Sequence, residues 1–471
     1  MQKSILSGRW ILGSLAILAI GVYLYTSVQV RPSAPTYDPL PVGTVDDIAA
    51  LADRDDVNIL FVLIDTLRWH RMSAYGYDRE TTPFLDELVT TSLRFDRHLA
   101  QSSWTKSSMA SIWTGLNPIR IGVTKFDHTI SQEPLMPAEI LADEGFMNVA
   151  LYRNGWVHGY FGFDQGFDKY YRPMGNPNAR AMKRARPNEL SLSNDEAMMQ
   201  EAIEFLRLHG KTSRWFLYLH MMDLHEYIYD EESALFGNTT SDLYDNSIRR
   251  TDWLVSTLYD YLRAADLLKE TIIVFLSDHG EAFGERGFEG HARTVLPEST
   301  GTPLIISLPF AIEGGATVKS VTSNVDVWPT LLDLLGLPEL GDVDGRSRVP
   351  EILAAMSGTA MAPRDDAPPI ISYLDQNWGQ NVVEVAPAIS VVVGDDRYVT
   401  GLNASGKEFE ALFSFEDGQR VNHIRSRPEV ADRLRKIATS HLESEAVFGI
   451  EAVEMDQMQL DQLRALGYDL P

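Results

Sequence analysis

Cysteine is absent from the chain. That removes structural disulfides, thiolate metal sites and a lipid-modified N-terminal cysteine together. An excess of basic residues is absent as well: 41 Lys and Arg stand against 66 Asp and Glu, a formal net charge of −25. Binding to nucleic acid, or to an anionic lipid surface through charge alone, needs a basic patch that this composition does not advertise, so no nucleic-acid partner is expected. No internal repeat appears. What the chain has is core: 44% of its 471 residues are hydrophobic, enough for one large α/β domain and a smaller one, and too many for a disordered protein.

A single long stretch lacks charge. Lys3 and Arg9 precede residues 10–25, and apolar character continues to Val30. About 20 apolar residues span a hydrocarbon core, so residues 1–30 read as a transmembrane anchor with its basic flank in the cytoplasm. A cleaved signal peptide is the rival reading, weakened by the lack of a small-x-small cleavage site. Both export the remainder, so a single-pass membrane protein is expected, with its catalytic domain on the periplasmic or extracellular side. Residues 31–56, carrying Pro32, Pro35, Pro39 and Pro41 and then an acidic run, read as a linker.

Beyond the linker, strand and helix patterns alternate as in a doubly wound α/β fold, a mainly parallel central sheet with helices on both faces. Apolar runs at residues 57–64 and 271–276 end in Asp65 and in Ser277-Asp278-His279-Gly280-Glu281. Buried parallel strands deliver side chains to their C-terminal edge, where open α/β sheets place their chemistry. Two such strands, each ending in hard ligands, suggest a metal site. Further strands are predicted at 147–152, 215–220 and 305–308, and helices at 84–93, 195–208 and 326–336. The catalytic domain would cover residues 57–362. From 363 to 471 the pattern changes to short strands, at 388–394, 397–399 and 409–415, and a charged helix near 429–440: a small α+β subdomain.

A third constellation is Ser102-Ser103-Trp104-Thr105-Lys106-Ser107-Ser108-Met109, continuing to Gly115. A hydroxyl residue opening a short helix that closes in Gly lies beside backbone N–H groups with no partner, a ready oxyanion site. Alone, such a residue is an ordinary N-cap; beside two ligand-bearing strand ends it becomes a candidate nucleophile.

These segments together resemble the sulfatase branch of the alkaline phosphatase superfamily, from about Asn58 to the C-terminus. The resemblance is carried by Asp65-Thr66-Leu67-Arg68, Tyr75-Gly76-Tyr77, Thr81-Thr82-Pro83-Phe84-Leu85-Asp86, the segment from Thr105 to Gly115, Phe161-Gly162-Phe163-Asp164-Gln165-Gly166-Phe167-Asp168, Ser277-Asp278-His279-Gly280-Glu281, Gly290-His291 and Asp344-Gly345. It implies Asp65, Asp278 and His279 as metal ligands, with Thr105 as nucleophile and further ligand. Thr66 replaces a second metal-binding Asp, and His279 stands where calcium-type sulfatases carry Asn. A divalent cation is therefore implied, manganese or zinc before calcium, because imidazole suits transition metals.

In sulfatases the nucleophile position holds a Cys or Ser of a C/S-x-P-x-R motif, oxidised to formylglycine. Here the motif reads Thr105-Lys106-Ser107-Ser108-Met109, so formylglycine is not available. The pattern is similar instead to members with a Thr nucleophile, among them phosphoglycerol and phosphoethanolamine transferases and nucleotide pyrophosphatase/phosphodiesterases. The resemblance gives His225 and His291 catalytic roles and makes Lys106, Asn154 and Asp223 substrate-side candidates. His225, His291 and Asp223 are also candidates for a second metal. His158 and His220 read as structural. The leading functional reading is a metal-dependent hydrolase of phosphate mono- or diesters on a small-molecule, glycan or lipid substrate. A sulfuric ester hydrolase or an envelope phosphotransferase with the same site is the alternative, and a non-catalytic envelope binding protein a third.

Overall fold

The computed structural model describes residues 39–173, 194–359, 368–380 and 382–464. Its centre is a nine-stranded sheet. In chain order the strands are β1 (Asn58–Ile64), β2 (Leu93–Leu99), β3 (Met147–Tyr152), β4 (Lys169–Tyr171), β5 (Trp215–Met221), β6 (Thr271–Leu276), β7 (Gly301–Thr302), β8 (Leu304–Ser307) and β9 (Ala316–Ser323). Across the sheet they run β7-β2-β8-β6-β1-β5-β3-β4, with β9 paired to β2. The strands from β6 to β4 are parallel, and β8 is antiparallel to both β6 and β2.

Every residue of β1, β5 and β6 is buried, as unbroken apolar strands under two helical layers must be. Alternation sorts β1 between two cores. Ile59, Phe61 and Leu63 pack with Trp113 and Trp328, from helices α1 (Thr105–Thr114) and α4 (Val327–Leu334). Leu60, Val62 and Ile64 pack with Met198 and Ile248, from α2 (Asn194–His209) and α3 (Thr240–Ala264). Helices on both faces of a mostly parallel sheet are the α/β arrangement that the sequence predicts.

A second sheet of four antiparallel strands comes next in the chain: β10 (Ile370–Asp375), β11 (Pro387–Val393), β12 (Asp396–Leu402) and β13 (Glu408–Ser414). One face carries Ile389, Val391 and Tyr398 against Leu434 of α5 (Pro428–Leu442). The other sends Ala388, Val399 and Phe413 into the core that contains Phe61.

Several expectations change. Among the described residues no helix is long and apolar enough to cross a membrane, and on that finding the assignment as a single-pass membrane protein is withdrawn. The stretch on which the anchor was placed, residues 10–30, lies outside the described residues. Of the expected linker, the described part contains a helix, Val45–Ala50, with Ile48 and the adjoining Leu51 in the core. The helix expected at 84–93 is shorter: Pro83–Leu88 is helical, Val89–Thr91 is a 3-10 turn, and the chain then enters β2. Val89, Thr90 and Thr91 are β-branched, poor continuations of a helix, and pairing with β8 and β9 claims the chain from Leu93 onward as strand.

Candidate active site

Three parallel strands bring the key residues to one edge. In register, Leu63 of β1 lies beside both Leu276 of β6 and His220 of β5. Asp65 and Asp278 therefore emerge as neighbours just past their strands, with His220 on the opposite side of Asp65. Asp65, Asp278 and His279 are fully buried and offer ligand atoms within 4.8 Å of one another, the one such group of three or more among the described residues. The turn after β6 needs its glycine: a Cβ on Gly280 would meet the Glu298 carbonyl oxygen at 2.2 Å.

Each carboxylate has one oxygen held by protein donors and one without a partner. Asp65 Oδ2 accepts from Asn154 Nδ2 at 2.6 Å and lies 3.2 Å from His220 Nε2. Asp278 Oδ1 accepts from the Thr66 amide at 3.2 Å and the His279 amide at 2.9 Å. Asp65 Oδ1 and Asp278 Oδ2 are buried with no hydrogen-bond partner among the described residues. They flank His279 Nε2, at 3.8 and 3.3 Å. His279 Nδ1 lies 3.1 Å from the Gly280 carbonyl, which can only accept, so Nδ1 carries the proton and Nε2 presents its lone pair. Two orphaned carboxylate oxygens and an imidazole lone pair converging in a buried space are costly unless a cation joins them. The donor set fits a divalent metal.

Thr105 opens α1 against this cluster. Its Oγ1 is 3.1 Å from His279 Nε2 and 3.3 Å from Asn154 Nδ2, in the first turn of a ten-residue helix whose leading N–H groups lack carbonyl partners within the helix. Asn154 is fixed in turn by the Trp156 amide, which donates to its Oδ1 at 2.9 Å. At the far end of α1, Gly115 takes a φ of 69°, the left-handed exit that glycine makes without strain.

On the adjoining side His291 is stacked on His279, ring centroids 4.7 Å apart, and lies 4.9 Å from the His225 ring. Glu281 Oε2 meets His291 Nδ1 at 2.7 Å. Burial opposes charge on both members of this pair. Mutual attraction outweighs it, lowering the Glu281 carboxyl and raising the His291 imidazole from their usual ranges. Burial pushes His225 down to about 4. Burial would raise the Asp65 carboxyl, but the His220 hydrogen bond and the nearby imidazoles hold it well below the usual carboxylate range. Asp278 is raised by burial and then by the charge of Asp65.

Thus the structure brings together Asp65, Thr105, Asn154, Asp278 and His279, with His225 and His291 alongside. Two substrate-side candidates are engaged by protein groups. Lys106 Nζ donates to the Phe126 carbonyl at 2.8 Å and sits 3.4 Å from the Phe161 ring centroid, where burial holds it well below the usual lysine range. Asp223 pairs with Arg153 at 2.5 Å, and Arg153 also pairs with Asp195 and Glu226. The sequence reading missed Glu281, although it lies within the quoted motif, and treated His220 as structural.

A protein-family model described as Sulfatase matches residues 57–337, more than half of the chain and every residue of the cluster. The chain belongs to the sulfatase family. Among relatives, N-acetylgalactosamine-6-sulfatase of Rattus norvegicus is 25% identical over 366 residues, 67% of this chain and 69% of the relative. Among solved structures, Ps i-CgsB in complex with k-i-k-neocarrahexaose superposes with a TM-score of 0.66 at 16% identity, covering 87% of this chain and 97% of that one. Phosphonate monoester hydrolase of Agrobacterium radiobacter gives a TM-score of 0.65 at 16% identity, covering 85% and 100%. These two likenesses establish the fold. This sulfatase-family member is an ester hydrolase; the rat relative is named for a sulfuric ester and the Agrobacterium structural neighbour for a phosphonic ester.

Proposed function

We propose that this sulfatase-family hydrolase cleaves phosphate mono- or diesters, with Thr105 as the nucleophile. One observation carries the reading: a threonine, in a chain without cysteine, stands at the nucleophile position with its hydroxyl against the Asp65, Asp278 and His279 cluster. Asp65, Asp278 and His279 would hold a divalent cation, manganese or zinc before calcium, and when bound it would acidify a hydroxyl and polarise a phosphoryl oxygen.

The remaining steps belong to the chain's own groups. Asn154 orients the Thr105 hydroxyl. The Thr105 hydroxyl proton is released to solvent before attack; Oγ1 then attacks phosphorus in line, the ester P–O bond breaks, and the leaving oxygen takes a proton from the His225 and His291 pair. Glu281 holds the Nδ1 edge of His291, which fixes that ring beside His225. Leading N–H groups of α1 face negative charge developing beside Thr105. Water then attacks phosphorus and returns one proton to the His225 and His291 pair, the bond to Oγ1 breaks, and the Thr105 oxygen is restored.

Sulfuric ester hydrolysis is the competing reading, favoured by the named activity of the rat relative. The two separate chemically. A formylglycine hydrate has a second hydroxyl that expels sulfate from the covalent intermediate, and a threonine sulfate ester has none. A threonine phosphate is still open to water at phosphorus. Aryl phosphate turnover is expected to exceed aryl sulfate turnover by at least about two orders of magnitude, about 3 kcal/mol of transition-state discrimination. Thr105→Ala removes nearly all of it and Thr105→Ser retains part. Comparable rates on the two esters, or an active Thr105→Ala protein, reject the proposal.

A further inference from the structure

Tyr218 and His220 lie two residues apart on β5, hence on one face of the strand, and both are fully buried. The Tyr218 hydroxyl is 2.6 Å from His220 Nδ1, and His220 Nε2 is 3.2 Å from Asp65 Oδ2. A carboxylate oxygen accepts, so His220 Nε2 donates to it, while the ring's other nitrogen is engaged by the Tyr218 hydroxyl. The far end of this relay is locked in the aromatic core, where the Tyr218 ring meets Trp113 edge-on at 4.9 Å and Phe61 at 5.9 Å.

We infer that Tyr218 and His220 are positioning residues that set the cation affinity of the site by fixing the rotation of Asp65. His220 and Asn154 both act on Oδ2, which turns the unpartnered Oδ1 toward His279 Nε2 and the orphaned oxygen of Asp278. Without the His220 donor, Asp65 gains freedom to turn away, and ordering it then counts against cation binding. Tyr218 acts one step further back, by anchoring the far edge of the His220 ring. The inference rests on reading Asp65, Asp278 and His279 as a metal site.

The test is the dissociation constant of the metal-free full chain for manganese and for zinc, by competition with a chromophoric chelator, alongside its unfolding temperature. His220→Leu is expected to weaken binding by about 10–100-fold, the usual effect of removing a group that orients a ligand. His220→Gln, whose amide N–H can take over the bond to Asp65, recovers most of the loss, and Tyr218→Phe gives an intermediate loss. A folded His220→Leu protein with the wild-type constant overturns the inference, as does a His220→Gln protein as weak as His220→Leu. Where His220→Leu does not fold, an unchanged constant in Tyr218→Phe rejects it. Asp278→Asn separates the two levels of argument. A wild-type chain that binds neither cation refutes the metal reading and the relay with it, whereas loss in Asp278→Asn without loss in the His220 and Tyr218 variants refutes the relay alone.

Discussion

Thr66, next after Asp65 of the candidate metal cluster, has a φ of 64°, a conformation that a β-branched residue enters only at a cost of order 1–3 kcal/mol. Its contacts explain why the turn is kept. The amide donates to Asp278 Oδ1, the hydroxyl donates to the Asp65 carbonyl at 2.6 Å, and its own carbonyl accepts from Tyr244 at 2.6 Å. The strained residue thus ties both carboxylates together by its backbone while contributing no carboxylate of its own. That leaves a candidate site of two carboxylates and an imidazole, a donor set that would suit a transition metal better than calcium, which prefers an oxygen-rich shell. Chelation is expected to abolish turnover, with manganese or zinc restoring more of it than calcium. Asp278→Asn and His279→Ala should each lower metal content, and Thr66→Asp should raise the share of activity that calcium supports. Rates with each added cation and elemental analysis of purified protein check this; best recovery with calcium in the wild type, or full metal content in both ligand variants, would reject it.

Strand β2 shows where the sequence was hard to read. Arg94, Asp96 and Arg97 place charges on its partly exposed face between buried Leu93 and Phe95, so the segment lacks the continuous apolar run that made β1 and β6 legible. Helix α3 was missed for the opposite reason. Tyr244, Ile248, Val255, Leu258 and Leu262 have helical spacing and are buried, but Asp245, Asn246 and Asp252 are buried among them and interrupt the apolar pattern. The cluster of Asp65, Asp278 and His279 was legible as a candidate metal site because its residues follow closely on apolar strands. The contact of His220 with Asp65 was not, since it depends on β5 pairing with β1 across a long sequence gap. Strand β2 also carries a titration prediction. Buried His98 has Nε2 2.8 Å from Asn324 Oδ1 and Nδ1 2.9 Å from Thr322 Oγ1, so its neutral ring has both nitrogens engaged. Burial pushes its pKa from 6.5 to about 4. The unfolded chain therefore binds the proton more tightly, and the stability contribution is complete above the unfolded pKa and is lost as pH falls from about 6.5 toward 4. Between neutral pH and pH about 5, wild type should lose about 2 kcal/mol more than His98→Gln. Denaturant unfolding at the two pH values measures it, and equal losses in both proteins would remove His98 as the cause.

The second sheet extends into the active site's surroundings. Trp378, just past β10, stacks on Trp104 at 4.3 Å and donates its indole N–H to the Ala292 carbonyl at 3.0 Å, so it joins the residue before Thr105 to the residue after His291. Fully buried Arg397 of β12 reaches the Val295 carbonyl at 3.1 Å in the same segment. Tyr373 donates its amide to Gln101 at 2.7 Å, and the Ser372 hydroxyl donates to Ala100 at 2.6 Å, which ties β10 to the chain leading into α1. Leu374, Val399 and Phe413 belong to the same apolar core as Trp104 and Phe61. Packing continuous across the two sheets makes their unfolding cooperative, because exposing the inner face of one strips the other of its cover. We therefore expect the catalytic part and the C-terminal α+β part to melt in one calorimetric transition. Trp378→Ala, a large-to-small change in that shared core, should destabilise the whole of it by about 3–5 kcal/mol. Two resolved transitions, or a Trp378→Ala protein in which only one of two melting steps moves, would show that the second sheet folds as an independent unit. A single shifted transition accompanied by reduced turnover would tie the placement of Thr105 and His291 to the sheet behind them.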